Sequence, residues 1–154
     1  MPDWNADRAA RIIAEYRHLA GATMPILHAL QEAFGYIDRV AIPAIAEAVN
    51  LSQAEIYGVV TFYHDFRREP AGRHTIKLCR AEACQSVGAV ALADHVKRRL
   101  GVDWHGTSAD GQVTLEPVFC LGLCACGPSA LIDGEPVSFL DSAALDARLA
   151  ELRQ

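Results

Sequence analysis

Two pairs of cysteines, Cys79-x4-Cys84 and Cys120-x3-Cys124, separated by 35 residues, constrain this chain more than any other feature. Each first cysteine closes a predicted strand: His74 to Leu78 leads into Cys79, and Gln112 to Phe119 leads into Cys120. If those strands lie side by side and run parallel, both cysteine loops leave the same edge of one sheet. Val87 to Leu100 predicts a helix between them. Ala130-Leu131-Ile132 and Val137-Ser138-Phe139 flank Asp133-Gly134-Glu135-Pro136, a Gly-containing hairpin connection, and Ser142 is expected to cap a last helix bearing Leu145, Leu149 and Leu152. The order strand, helix, strand, hairpin and helix gives a small α/β domain, with helices against a four-stranded sheet.

Five cysteines do not pair off evenly, and Met1-Pro2-Asp3-Trp4-Asn5-Ala6-Asp7 is polar and acidic where an export signal is basic and then apolar. A reducing, cytoplasmic setting is therefore expected, and there clustered cysteines bind metal or do redox work more often than they form bridges. Four thiolates delivered as two pairs are what a [2Fe–2S] cluster needs, two for each iron. Gly122 and Gly127 would let backbone amides approach sulfur. A helix starting near Ser86 would point its positive end at the first loop, and Arg80 is a further candidate donor. Val118, Leu121 and Leu123 would limit water access. A structural zinc site is the metal alternative, although closed zinc sites favour tighter C-x2-C pairs and often histidine. A dithiol oxidoreductase would need C-x-x-C, which the chain lacks. Cys126 reads as a packed, non-ligating thiol, with the alternative that it stands in for Cys124.

Residues 1–70 predict a helical domain, and 71–154 the α/β domain, with the boundary at Glu69-Pro70-Ala71-Gly72. Helices are expected over Ala9 to Ala20 ending at Gly21, from Thr23 with Pro25 in its first turn to Gly35, from Pro43 through Val49, and from a Ser52-Gln53-Ala54-Glu55 capping box through Tyr63. A charge of −5, with 14 basic against 19 acidic residues, disfavours a sequence-independent grip on nucleic acid. No apolar run approaches the roughly 20 residues that span a bilayer, so no membrane insertion is expected. There is no G-x-G-x-x-G, P-loop or H-E-x-x-H pattern, and the six histidines are scattered. No catalytic residue is assigned.

Around these residues the chain closely resembles the thioredoxin-like [2Fe–2S] ferredoxins, whose pattern is C-x4-C, a long spacer and C-x3-C with Cys-Leu-Gly-x-Cys as its second half. The helical region resembles the N-terminal part of the 24-kDa-type subunit of respiratory complex I, through Phe34-Gly35-Tyr36-Ile37 and Tyr57-Gly58-Val59-Val60-Thr61-Phe62-Tyr63. Phe62 to Arg67, Lys77 to Gln85 and Cys120 to Cys126 most resemble the gamma subunit of soluble molybdenum-dependent NAD+ formate dehydrogenases. The resemblance implies a thioredoxin-like ferredoxin domain preceded by an N-terminal helical bundle. It also implies one [2Fe–2S] cluster, with Cys79 and Cys84 on one iron and Cys120 and Cys124 on the other. Partners would be an FMN- and NAD-binding flavoprotein subunit and a molybdenum- and iron–sulfur-containing catalytic subunit, so that FMN, NAD and the molybdenum cofactor sit on the partners. Equivalent subunits of complex I and of NAD-reducing hydrogenases share this pattern. A zinc-stabilised interaction module and a free-standing ferredoxin remain as alternatives.

Overall fold

The computed structural model describes residues 4–152. Met1, Pro2 and Asp3 of the N-terminal stretch considered above lie outside the described residues. The chain divides into two compact units between Pro70 and Ala71, and each unit has its own apolar core.

The first unit is made of four helices, α1 (Ala6–Tyr16), α2 (Thr23–Phe34), α3 (Ile42–Val49) and α4 (Gln53–Phe62), with a 3-10 turn at Arg39–Ala41. Local chemistry sets their ends. The Asn5 side chain accepts the Arg8 N–H at 2.8 Å and opens α1. Gly35, at φ 82°, closes α2 in the left-handed conformation that glycine adopts without a Cβ clash. Helix α1 stops at Tyr16, short of the expected Gly21, because the Leu19 N–H bonds to the Tyr16 carbonyl at 3.1 Å and tightens the chain into a turn. Ile26, Leu27, Leu30, Phe34, Ile45 and Ile56 are wholly buried at the centre. Beyond α4 the chain folds back along α2: the Gln31 side-chain amide donates to the Asp65 carbonyl at 2.6 Å and accepts from the Arg67 N–H at 2.7 Å.

Helix α4 opens on the expected capping box. The Ser52 hydroxyl accepts from the Glu55 N–H at 3.2 Å, and the Glu55 carboxylate accepts from the Ser52 N–H at 2.8 Å. The Ser52 hydroxyl first, and then its N–H, hold the Glu55 carboxyl below the usual carboxylate range. A depressed folded-state pKa stabilises above the unfolded value, and that contribution is lost as pH falls through the lowered one. Ser52→Ala is expected to cost the first unit about 1 kcal/mol at neutral pH. Urea unfolding followed by far-ultraviolet circular dichroism checks it, and an unchanged midpoint would show that the box is not holding the helix.

The second unit contains strands β1 (His74–Cys79), β2 (Val113–Val118), β3 (Ala130–Ile132) and β4 (Glu135–Val137), and helices α5 (Glu82–Ser86), α6 (Ala89–Leu100) and α7 (Ser142–Leu152). The sheet order is β2-β1-β3-β4. Strands β1 and β2 are parallel, with Cys79 level with Val118, and the other neighbours are antiparallel. Alternate residues share a sheet face. Ile76, Leu78, Val113, Leu115, Ala130 and Ile132 accordingly make one apolar layer, against which Leu92, Val96 and Leu100 of α6 and Leu145 and Leu149 of α7 pack. His95 and Arg99 of α6 both meet the Asp146 carboxylate of α7, at 3.0 and 3.1 Å.

Three expectations need correction. The helix expected over Val87 to Leu100 begins two residues later, at Ala89, with Gly88 at φ 105° as its N-cap, and a separate short helix that was not expected, α5, precedes it. The hairpin connection is only Asp133-Gly134, both at positive φ, so Glu135 and Pro136 belong to β4 and pair with Ile132 and Leu131, while Ser138 and Phe139 lie beyond it. Two residues at positive φ match the right-handed twist of the flanking strands, which favours this short turn. Helix α7 is capped by Asp141, whose carboxylate accepts the Ala144 N–H at 2.7 Å, and Ser142 is its first helical residue. Among the described residues no helix is long and apolar enough to cross a membrane.

Candidate metal centre

Cys79 is the last residue of β1, and two residues after β2 the chain reaches Cys120, so the parallel register brings both cysteine loops to one end of the sheet. Cys84 lies within α5. It and Cys79 are each about 1% exposed, with Ala89 as their buried neighbour and Ala81, Val118 and Leu121 packed around them. Cys120 and Cys124 are exposed, with sulfurs 3.8 Å apart. The four thiols thus form an inner pair and an outer pair. Cys120 at φ 80° and Gly122 at φ 76° curl the second loop back, and the Gly122 N–H lies 3.4 Å from the Cys120 sulfur. A Cβ on Gly127 would stand 3.3 Å from the Cys84 sulfur and 3.0 Å from a Val87 methyl, so glycine is what lets this backbone pass so close.

The electrostatics of the thiols agree with that grouping. Burial pushes the Cys79 thiol up, but hydrogen bonds from the Ala81 N–H, the Cys84 thiol and the N–H groups of Cys120 and Leu121 outweigh it, and the net direction is down. The amides that serve the inner sulfur thus come partly from the outer loop. Cys124 is shifted up, by the Cys120 thiol first and then by the like charges of Cys120, Cys84 and Cys79. A cationic centre between the two pairs would relieve that repulsion. Among the described residues no three His, Cys, Asp or Glu side chains gather about one point as for a single metal ion. Two sulfur pairs with N–H donors already aimed at sulfur are a donor set that fits a binuclear iron–sulfur centre.

The family of thioredoxin-like [2Fe-2S] ferredoxins matches residues 9–153, through both units and all four of these cysteines. The chain belongs to that family. As a thioredoxin-like ferredoxin it carries a [2Fe–2S] cluster as its cofactor. It is 35% identical over 120 residues to an NADH-quinone oxidoreductase subunit of Pseudomonas aeruginosa, covering 78% of this chain and 72% of that protein. It is 33% identical over 140 residues to the corresponding NADH-quinone oxidoreductase subunit of Rhizobium meliloti, covering 91% and 83%. A crystal structure of an NAD+-reducing [NiFe]-hydrogenase superposes with a TM-score of 0.68 at 29% identity. That match covers 82% of this ferredoxin but only 22% of the hydrogenase chain.

Other residues weighed from sequence fall elsewhere. Arg80 does not show the expected contact with sulfur: its guanidinium lies 5.0 Å from the centroid of the Trp104 ring, which also carries the Lys97 ammonium at 4.4 Å. The helix expected to start near Ser86 starts instead at Ala89, which packs with Cys79 and Cys84. Cys126 is half-buried and takes part through its backbone, donating to the Leu123 carbonyl at 2.9 Å and accepting from the Phe139 N–H at 2.8 Å. Three of the six histidines pair with carboxylates that sequence reading did not connect to them, His74 with Asp133, His95 with Asp146 and His105 with Glu116. These pairs sit on different elements and form no common site. Sequence reading also missed Ser129, buried beside Cys84. Its only signal was its place one residue before a strand, at the level where β1 delivers Cys79.

Proposed function

We propose that this ferredoxin is the small electron-transfer subunit of an NAD-linked oxidoreductase, holding its cluster on Cys79, Cys84, Cys120 and Cys124 and passing single electrons to and from the FMN of a partner flavoprotein. The observation that carries this reading is the meeting of a buried cysteine pair and an exposed pair at one sheet end. The cluster supplies one-electron chemistry, and the protein supplies four thiolates, the amides that stabilise them and an outer pair open to approach. NAD exchanges a hydride, so a flavin must stand between the two chemistries. The chain has no dinucleotide fingerprint, which favours NAD and FMN being held by a partner.

The relatives named as NADH-quinone oxidoreductase subunits, with the NAD+-reducing hydrogenase, favour a host of that general class. A second reading, the gamma subunit of a molybdenum-dependent formate dehydrogenase with a molybdenum- and iron–sulfur-containing partner, is favoured by the local likeness of Phe62 to Arg67, Lys77 to Gln85 and Cys120 to Cys126. Anaerobic purification of the tagged chain from its native cells tests both. About two irons per chain, a brown colour and an S = 1/2 EPR signal after dithionite are expected, with an FMN-containing protein co-purifying. Reduction of the preparation by formate, dihydrogen or NADH then sorts the hosts. A colourless chain holding about one zinc would overturn the reading.

A further inference from the structure

We propose that the Ser129 hydroxyl is a positioning residue for the cluster, donating a hydrogen bond to the sulfur of Cys84 and thereby favouring the reduced form. Ser129 and Cys84 are each about 1% exposed, and the Ser129 Oγ lies 3.6 Å from the Cys84 Sγ. A buried hydroxyl needs a partner, and among the described residues this sulfur is the one the Ser129 side chain has. Between a free thiol and a hydroxyl either group can donate. A ligating thiolate carries no proton, so there the hydroxyl must be the donor.

The backbone holds the hydroxyl in place. The Ser129 carbonyl accepts the Cys79 N–H at 3.0 Å, the Pro128 carbonyl accepts the Leu140 N–H at 2.9 Å, and Ala130 pairs with Leu78 in the sheet. Ser129 is thus an extension of the β1–β3 ladder, tied to one cysteine of the inner pair by its backbone and to the other by its side chain. The amides of Ala81, Cys120 and Leu121 face the Cys79 sulfur, beside the Cys84 thiol, and that of Gly122 faces the Cys120 sulfur. At Cys84 the donor is a side chain, so it can be deleted without disturbing the main chain.

One-electron reduction adds negative charge that the ligand sulfurs share. A hydrogen bond to sulfur strengthens as that charge grows. At the buried pair water cannot replace a lost donor, so the preference for the reduced form goes with the hydroxyl.

The inference rests on Cys84 being a cluster ligand. Iron content and the visible spectrum of the unaltered full chain settle that point separately, since a chain that binds no iron fails there and takes the inference with it. The decisive comparison is Ser129→Ala in the full chain, loaded anaerobically, titrated with dithionite and followed by EPR. Unchanged iron content is expected, with the reduced-to-oxidised ratio at a fixed solution potential down about tenfold, a midpoint about 59 mV more negative for a one-electron couple. The Fe–S stretching bands should also shift less on transfer to D2O in the variant than in the unaltered chain, a difference that packing alone would not produce. Full iron with an unchanged midpoint would overturn the proposal. Loss of iron from Ser129→Ala would also overturn it, by making the residue structural.

Discussion

Serine at Cys120 is expected to abolish the visible absorption of the anaerobically loaded chain and to lower its iron content roughly fivefold or more, since each iron requires two thiolates. The substitution is sterically mild. Cys120 also contributes a backbone N–H to the Cys79 sulfur and holds a left-handed φ of 80°, and serine leaves the amide in place. What changes is the exposed sulfur 3.8 Å from Cys124. Cys126→Ser is the matched control. That residue is half-buried, its structural ties run through its backbone to Leu123 and Phe139, and full iron is expected. Iron and absorbance measured on the two variants in parallel give the answer. Normal cluster content in Cys120→Ser would remove that residue from the ligand set, and loss in Cys126→Ser would move the outer pair along the chain. Cys124→Ser is the intermediate case, because Cys126 is only two residues away and can supply a substitute sulfur.

The parts of this site that were legible in the sequence are those governed by short-range rules. The first cysteine of each pair closes a strand signal, which puts both loops at one sheet edge if the strands are parallel neighbours, and β1 and β2 pair in that sense with Cys79 level with Val118. The capping box at Ser52 and the glycine stop at Gly35 were legible because each rests on a hydrogen bond or a dihedral angle confined to one turn. Failures came where two local solutions have nearly equal cost. Asp141 and Ser142 are both good caps, and only the path of the chain into α7 chooses the aspartate. A glycine near the start of a helical pattern can lie inside the helix or cap it, and Gly88, at φ 105°, caps α6, which therefore starts at Ala89.

The remaining features depend on contacts distant in sequence. Ser129 meets Cys84 across 45 residues, and His74 meets Asp133 across 59. No periodicity or spacing within a segment encodes such a meeting. Host specificity is harder still to see, since ligand spacing follows from the cluster's own chemistry and is shared by every host that uses it. Residues that select a quinone-, hydrogen- or formate-linked partner act through surfaces, and surface residues leave no mark on the hydrophobic pattern from which a fold is read.

Phe34→Ala is expected to destabilise the helical unit by about 3–5 kcal/mol, a large share of the roughly 5–15 kcal/mol that holds a small domain together. Phe34 ends α2 and is wholly buried. Its ring centroid lies 4.5 Å from that of Trp4, tilted by 42°, and the Arg8 guanidinium carbon stands 5.2 Å from it. Deleting the ring therefore removes an aromatic pair and a cation–π contact as well as apolar burial, and leaves a cavity in the core that Phe34 shares with Leu30, Ile37 and Ile45. Trp4 adds a diagnostic. Its indole N–H is buried without a hydrogen-bond partner, so the loosened core should admit water to it and its fluorescence should shift to longer wavelength. The apolar core around Phe34 contains no residue of the cysteine loops, and the core behind those loops contains none of the helical unit. Thermal unfolding followed at once by far-ultraviolet circular dichroism and by visible absorbance should show an early loss of helix in Phe34→Ala, while bleaching of the cluster keeps the midpoint of the unaltered chain. Bleaching that fell in step with the helical signal would show that the cluster's surroundings draw on the helical unit for their stability, and the two cores would then have to be treated as one cooperative body.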